Sequence, residues 1–173
     1  MQLRKLSILA AMILCCTAPM IGQQTREEAI KGMRKVLPSE MDPTYTQPAP
    51  FAQKLVDQAL DKHPEVILLA IHAEVPGHGN LIVASNFGRI GKKGDEDDMR
   101  CIHTGKPNLE VALPHFEVEL ALKDTAGETL GAVGVVFNYK TGDDKDRLVK
   151  IANQVESEMQ RQLPNAAKLV AAQ

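Results

Sequence analysis

HFEVELALKDTAGETLGAVGVVFNY, residues 115–139, reads as two strands joined by a tight turn. Before the turn, Phe116, Val118, Leu120 and Leu122 alternate with His115, Glu117, Glu119 and Lys123. That is the period-2 pattern of a strand with one dry and one polar face. After it, residues 130–139 are almost wholly apolar and carry Gly131 and Gly134. Each of these glycines lets another element or a ligand approach the sheet closely. A hairpin of this kind is half a core, and the rest of the chain must cover its apolar face.

Working outward, residues 109–113 form a third strand that stops at Pro114, which suits an edge position. Residues 65–73 are a continuous apolar run, and residues 81–85 a second short one. The turn Pro76, Gly77, Gly79, Asn80 joins them into a hairpin. Between the hairpins, residues 86–94 form a loop with glycines at 88, 91 and 94. The acidic run at 95–98 then opens a short helix holding Met99, Cys101 and Ile102, which Gly105 and Pro107 end.

Thr25 with Glu28 is a capping box, and Ala29, Ile30, Met33, Val36 and Leu37 follow at helical spacing up to Pro38. Four prolines in residues 38–50 mark an extended connector. Pro50 suits the first position of a second helix, with Phe51, Leu55, Val56, Ala59 and Leu60 on one face. Pro64 stops it at His63. Asp143 or Asp144 caps a long last helix carrying Leu148, Ile151, Ala152, Val155 and Met159. Pro164 closes it before a flexible Ala-rich tail. The expected fold is α+β: an antiparallel sheet of about five strands, helices on one face, and flanking N- and C-terminal helices.

A chain of 173 residues holds one domain. Aromatic content is 3% with no Trp, against the exposed rings of a single-strand nucleic-acid or sugar-stacking platform. The net charge of −2 gives no general attraction to nucleic acid either.

Arg4 and Lys5, the apolar run at residues 6–16 and the small residues at 18–22 form the three regions of a secretory signal peptide. The run is shorter than the roughly 20 residues of a spanning helix. Cys15 and Cys16 lack the small preceding residue of a lipidation site. Cleavage near Gly22 leaves 18 basic against 22 acidic residues, a net charge of −4, and one cysteine, Cys101. No intramolecular disulfide is then possible, and Cys101 reads as a small buried residue. The expected division is a signal peptide (1–22), an N-terminal helix and connector (23–50), the main domain (51–163) and a tail (164–173). The location follows as periplasmic or secreted, with no membrane span after signal removal.

Residues 81–86 (LIVASN) leading into Arg89, Ile90, Gly91 and Lys92, then the acidic segment and a helix ending in Thr104, Gly105, Lys106 and Pro107, resemble the middle of a Cache domain. Residues 122–127 (LKDTAG) and 130–136 (LGAVGVV) are similar to its closing strands. Cache domains are extracytoplasmic, PAS-like sensor modules, and the resemblance covers residues 51–139. It implies a small-molecule pocket between the sheet and the middle helix and loops, for a small carboxylate, an amino acid or an amine. The positions it puts in contact roles are Asn86, Arg100, His103, His115 and Tyr139, with Arg100 on a ligand carboxylate and His115 or Tyr139 orienting it. Only residues 140–173 follow the sheet, so a free-standing binding or accessory protein is expected rather than a transmembrane receptor.

The chemistry-bearing residues weigh against catalysis. All five histidines lie between 63 and 115, which invites a metal. No pair has the i, i+4 spacing of a zinc helix. His72, His78, His103 and Cys101 are the set a metal carrier or metal-dependent hydrolase would use. Cys101 and His103, two apart on a helix, point away from each other and make no nucleophile–base pair. The Gly88, Gly91, Gly94 loop lacks the Lys-Ser or Lys-Thr of a phosphate cradle. Glu117 and Glu119, about 7 Å apart along one strand face, read as a solvated surface. The expectation is a non-catalytic, sensor-like module without cofactor or metal. Its partner is a small molecule, with a receptor or a second copy docking through the terminal helices as a further possibility. The alternatives are the metal protein and a protein-interaction domain.

Overall fold

The structure, a computed structural model, describes residues 24–171. The signal-peptide reading of residues 1–22 lies outside them. Local signals in the sequence place most elements. Helix α1 (Arg26–Gly32) starts at the Thr25–Glu28 capping box, and α2 (Pro50–Lys62) has Pro50 in its first turn and stops at His63. Strands β1 (Val66–Val75) and β2 (Gly79–Ser85) form the first hairpin. Helix α3 (Glu96–Thr104) is capped by Asp95, whose side chain accepts from the Asp97 and Asp98 amides. It ends on Gly105 in the left-handed conformation, φ 65°. Strands β3 (Asn108–Ala112), β4 (His115–Lys123) and β5 (Thr129–Asn138) follow, then α4 (Lys145–Gln160), capped by Asp144. Among the described residues, no helix is long and apolar enough to cross a membrane.

All five strands join one antiparallel sheet in the order β2-β1-β5-β4-β3. The α+β class, the strand number and the edge position of β3 are as expected. The alternation in β4 sorts its residues to two faces. Phe116, Val118, Leu120 and Leu122 meet Leu69, Ile71, Val133, Val135 and Phe137, together with α2 and α4, in the main core. The opposite face packs a smaller cluster of Ala29, Ile67 and Leu68 with the half-buried Met33, Phe87 and Val136.

Four expectations need correction. Helices cover both faces rather than one: α2 and α4 lie on the main core, while α1 and α3 lie across the other face. The connector is not wholly extended, since Pro38–Glu40 is a 3-10 turn and Met41 bridges to Lys92. Residues 166–170 are not a free tail. They form a helix, α5 (Ala166–Val170), capped by Asn165, and its Leu169 is fully buried in the main core. Helix α1 stops at Gly32 rather than running to Pro38, so Met33, Val36 and Leu37 lie beyond it and Leu37 is exposed, whereas the apolar stripe of α4 is spent in the main core.

Candidate functional site

On the second face, cross-strand pairing sets side chains in rows. One row runs Leu68, Val136, Glu117, Glu110 across β1, β5, β4 and β3. The next runs Ala70, Gly134, Glu119, Asn108, and a third Ile82, His72, Ala132, Ala121. The middle of the second row, Ala70 beside Gly134, carries almost no side chain. The floor is therefore hollow there. Helix α3, residues 32–34 at the end of α1 and the loop with Phe87, Arg89 and Lys92 wall this hollow, leaving a cavity of about 410 Å³.

The cavity is chemically divided. Leu68, Ala70, Ile82, Phe87, Val136 and Met33 supply apolar wall, and His72, Asp98 and Glu117 supply a polar one. Asp98 occupies the third position of α3, where its side chain accepts from the Asp95 amide at 2.8 Å. Its Oδ2 also lies 3.4 Å from His72 Nδ1. His72 and Asp98 are buried, and His72 Nδ1 has no partner of hydrogen-bonding geometry. Burial holds the His72 imidazole below the usual histidine range, with Asp98 pulling the other way. Glu119, beneath Asp98, is 5% exposed. Burial first, then its contact with Asp98, pushes it up to about 10. Burial and the nearby Glu110 and Asp98 push Glu117 up to about 7.

These two glutamates correct the reading of a solvated face. Period 2 puts them on one face, as expected, but α3 folds back over that face, burying Glu119 and leaving Glu117 half-buried at the cavity. Cys101 seals the same contact: it is 1% exposed and its thiol donates to the Glu119 carbonyl at 3.6 Å. Burial pushes this thiol up to about 11, as expected of a packing residue rather than a nucleophile.

Of the five residues expected to contact a ligand, His115 lines the cavity. Its Nε2 is 2.9 Å from Gln24 Oε1. Asn86 instead latches β1, accepting from the Leu69 amide at 2.9 Å and donating to the Ile67 carbonyl at 2.9 Å. Arg100 faces outward to Asp97 (2.6 Å) and Asn108 (3.2 Å). Three residues after Asp97 on the helix, it is turned away from Asp98. His103 is exposed in the last turn of α3. Tyr139 packs on the main-core face, its ring 5.6 Å from that of Phe116. The metal set is likewise dispersed. His72 is in the cavity, while His78 Nδ1 pairs with Asp42 at 2.8 Å. Among the described residues no group of three His, Cys, Asp or Glu is placed to hold a metal ion.

The cavity cations lie in the 34–92 region: Arg34, Arg89 and Lys92. Arg34 pairs with Glu40, and Arg89 donates to the Arg34 carbonyl and lies 5.9 Å over Phe87. Lys92 Nζ is 3.4 Å from Asp95 Oδ2.

No family model matches the sequence, and no curated protein matches it. Among solved structures, the chain is similar to the inducer-binding domain of the PobR transcription factor from Acinetobacter, a double mutant in complex with 3-hydroxybenzoic acid. The TM-score is 0.48 and the identity 8%, over 66% of this chain and 98% of that one. It is similar to the nlh2 GAF domain of A. aeolicus at a TM-score of 0.48 and 13% identity, over 76% and 86%. The GAF domain of the nutrient sensor CodY from Clostridium difficile follows at 0.40 and 12%, over 69% and 86%.

Proposed function

We propose that the chain is a non-catalytic, sensor-like module of the Cache kind that binds one small organic molecule in the cavity between the sheet and α1 and α3. The observation that carries this reading is the cavity itself. At about 410 Å³ it has the size of a small-ligand pocket, with an apolar wall and a few convergent polar groups. A hollow at Ala70 and Gly134 in the middle of a sheet forgoes packing that larger side chains would supply. A bound molecule restores it. In this reading the module works in the periplasm or outside the cell, as the composition of residues 1–22 suggests, and reports occupancy to a partner.

The test is thermal unfolding of the full chain against amines, amino acids, small carboxylates and neutral isosteres. A ligand present at about 100 times its dissociation constant adds roughly 2.7 kcal/mol. That raises the melting temperature by several degrees in a domain of this size. A screen in which no class shifts the transition would overturn the binding role.

A further inference from the structure

Building on that reading, we infer that the anchoring group of the ligand is an ammonium: a primary amine on an apolar body, its nitrogen seated between Glu117, Asp98 and His72. Its failure and the failure of the binding reading are separable, because a ligand of another charge class would leave the binding reading standing.

Three independent features lead to this site. First, His72 Nδ1 is buried, unpartnered and part of the cavity wall, 3.4 Å from Asp98 Oδ2. Buried polar atoms are rarely left without a partner, and a donor placed between these two serves both. Second, the side of the cavity around them is acidic. Glu117 faces Glu110 from β3, Asp95 and Asp98 at the start of α3, and Glu119 from its own strand, while His72 and His115 line the same cavity. Of the lining cations, Lys92 acts on Glu117 and is drawn to Asp95, while Arg34 is paired with Glu40 and Arg89 donates to the Arg34 carbonyl. From β5 the neighbours are Gly134 and Val136, which carry no charge. Third, Leu68, Phe87 and Val136 give the cavity an apolar wall that suits an apolar body, and the cation over it, Arg89 above Phe87, is engaged by the Arg34 carbonyl.

The inference fixes the proton balance. Alkylammonium groups stay charged to about pH 10, so across the neutral range the titrating partner is the protein. Desolvation among acids holds a proton on Glu117 to about pH 7. A bound ammonium replaces that proton as the compensating positive charge, so binding releases a proton below pH 7 and strengthens as pH rises.

The probe is phenethylamine, with 2-phenylethanol and phenylacetate as its neutral and anionic counterparts, titrated calorimetrically into the full chain between pH 6 and 8. Phenethylamine should bind more tightly than both, and its affinity should rise about tenfold from pH 6 to pH 8, following Glu117 ionisation. Glu117→Gln, which removes the titrating group without changing side-chain shape, should bind at the weak low-pH level throughout and lose the pH dependence. Equal binding of the alcohol, tighter binding of phenylacetate, or an affinity that falls as pH rises would each overturn the ammonium site. So would a panel of methylamine, ethylamine, putrescine and phenethylamine that leaves the melting temperature unmoved. If carboxylates or neutral molecules bind while these amines do not, only the ammonium inference fails. If nothing binds, the binding reading fails with it.

Discussion

The Glu117 carboxyl leans over Gly134, so that a Cβ on that glycine would stand 3.0 Å from Glu117 Oε1. The obstructing atom is the end of a flexible side chain, free to move aside by a few tenths of an ångström. Three residues earlier on the same strand, a Cβ on Gly131 would stand 2.0 Å from the His72 backbone carbonyl oxygen, which cannot. Gly134→Ala is therefore expected to change stability by less than about 1 kcal/mol, because alanine regains strand propensity. Gly131→Ala is expected to cost roughly 2–3 kcal/mol by forcing β1 from β5. Chemical denaturation of both variants checks the contrast, and equal effects would contradict it.

Glu119 keeps in the folded chain a proton that the unfolded chain releases near pH 4.5, since burial and Asp98 push it up to about 10. The sign follows from the raised value. Its stabilising contribution is complete below pH 4.5 and is lost progressively as pH rises towards 10. Glu119→Gln should match wild type near pH 4.5 and gain on it steadily to pH 9. Glu117→Gln should gain mainly between pH 4.5 and about 7. Denaturation midpoints of the three proteins across this range test the pattern; a gap that narrows with rising pH would contradict it.

Asn138 clamps the start of α1. Its side chain accepts from the Gln24 amide at 3.1 Å and donates to the Gln24 carbonyl at 2.7 Å, and Gln24 in turn meets His115 at the cavity edge. Asn138→Ala should cost about 1–3 kcal/mol locally. Amide exchange in residues 26–33 should accelerate while exchange in β4 and β5 is little changed. Uniform acceleration would show that α1 is no separate unit.

Where a feature depends on neighbours within a few residues, the sequence was enough. Thr25 with Glu28, Pro50, His63 before Pro64, Asp95 before its acidic turn and Gly105 after it all do what their local chemistry dictates. The alternation in β4 also identified the two faces. What it could not carry was which elements lie on each face. Glu119 is buried and Glu117 half-buried because α3 crosses back over β4, a contact between segments some 20 residues apart. The signals available were the small pair Ala70 and Gly134 on neighbouring strands and Cys101 on the inner side of an acidic helix. The Cache resemblance puts Arg100 in a contact role through its place on that helix. A turn of geometry, with Asp98 inward and Asp97 outward, reverses its role.

Leu169 falls in the Ala-rich end that reads as a tail, because the few residues after Pro164 carry little periodic signal. It is fully buried in the main core. Leu169→Ala should cost about 2–5 kcal/mol, and removal of residues 164–173 at least as much. Thermal melts decide this; an unchanged midpoint would restore the tail reading.

The account rests on a ligand occupying the hollow between Ala70 and Gly134, and the most direct measurement fills that hollow. Thermal shifts for the compound screen would be recorded on wild type, on Ala70→Phe and on Arg100→Ala. The account predicts that a compound raising the wild-type midpoint by several degrees has the same effect on Arg100→Ala, whose guanidinium lies outside the cavity. It should have none on Ala70→Phe, where the ring takes the ligand's place. An equal shift on folded Ala70→Phe, or a shift lost in Arg100→Ala, would place binding elsewhere and contradict the account.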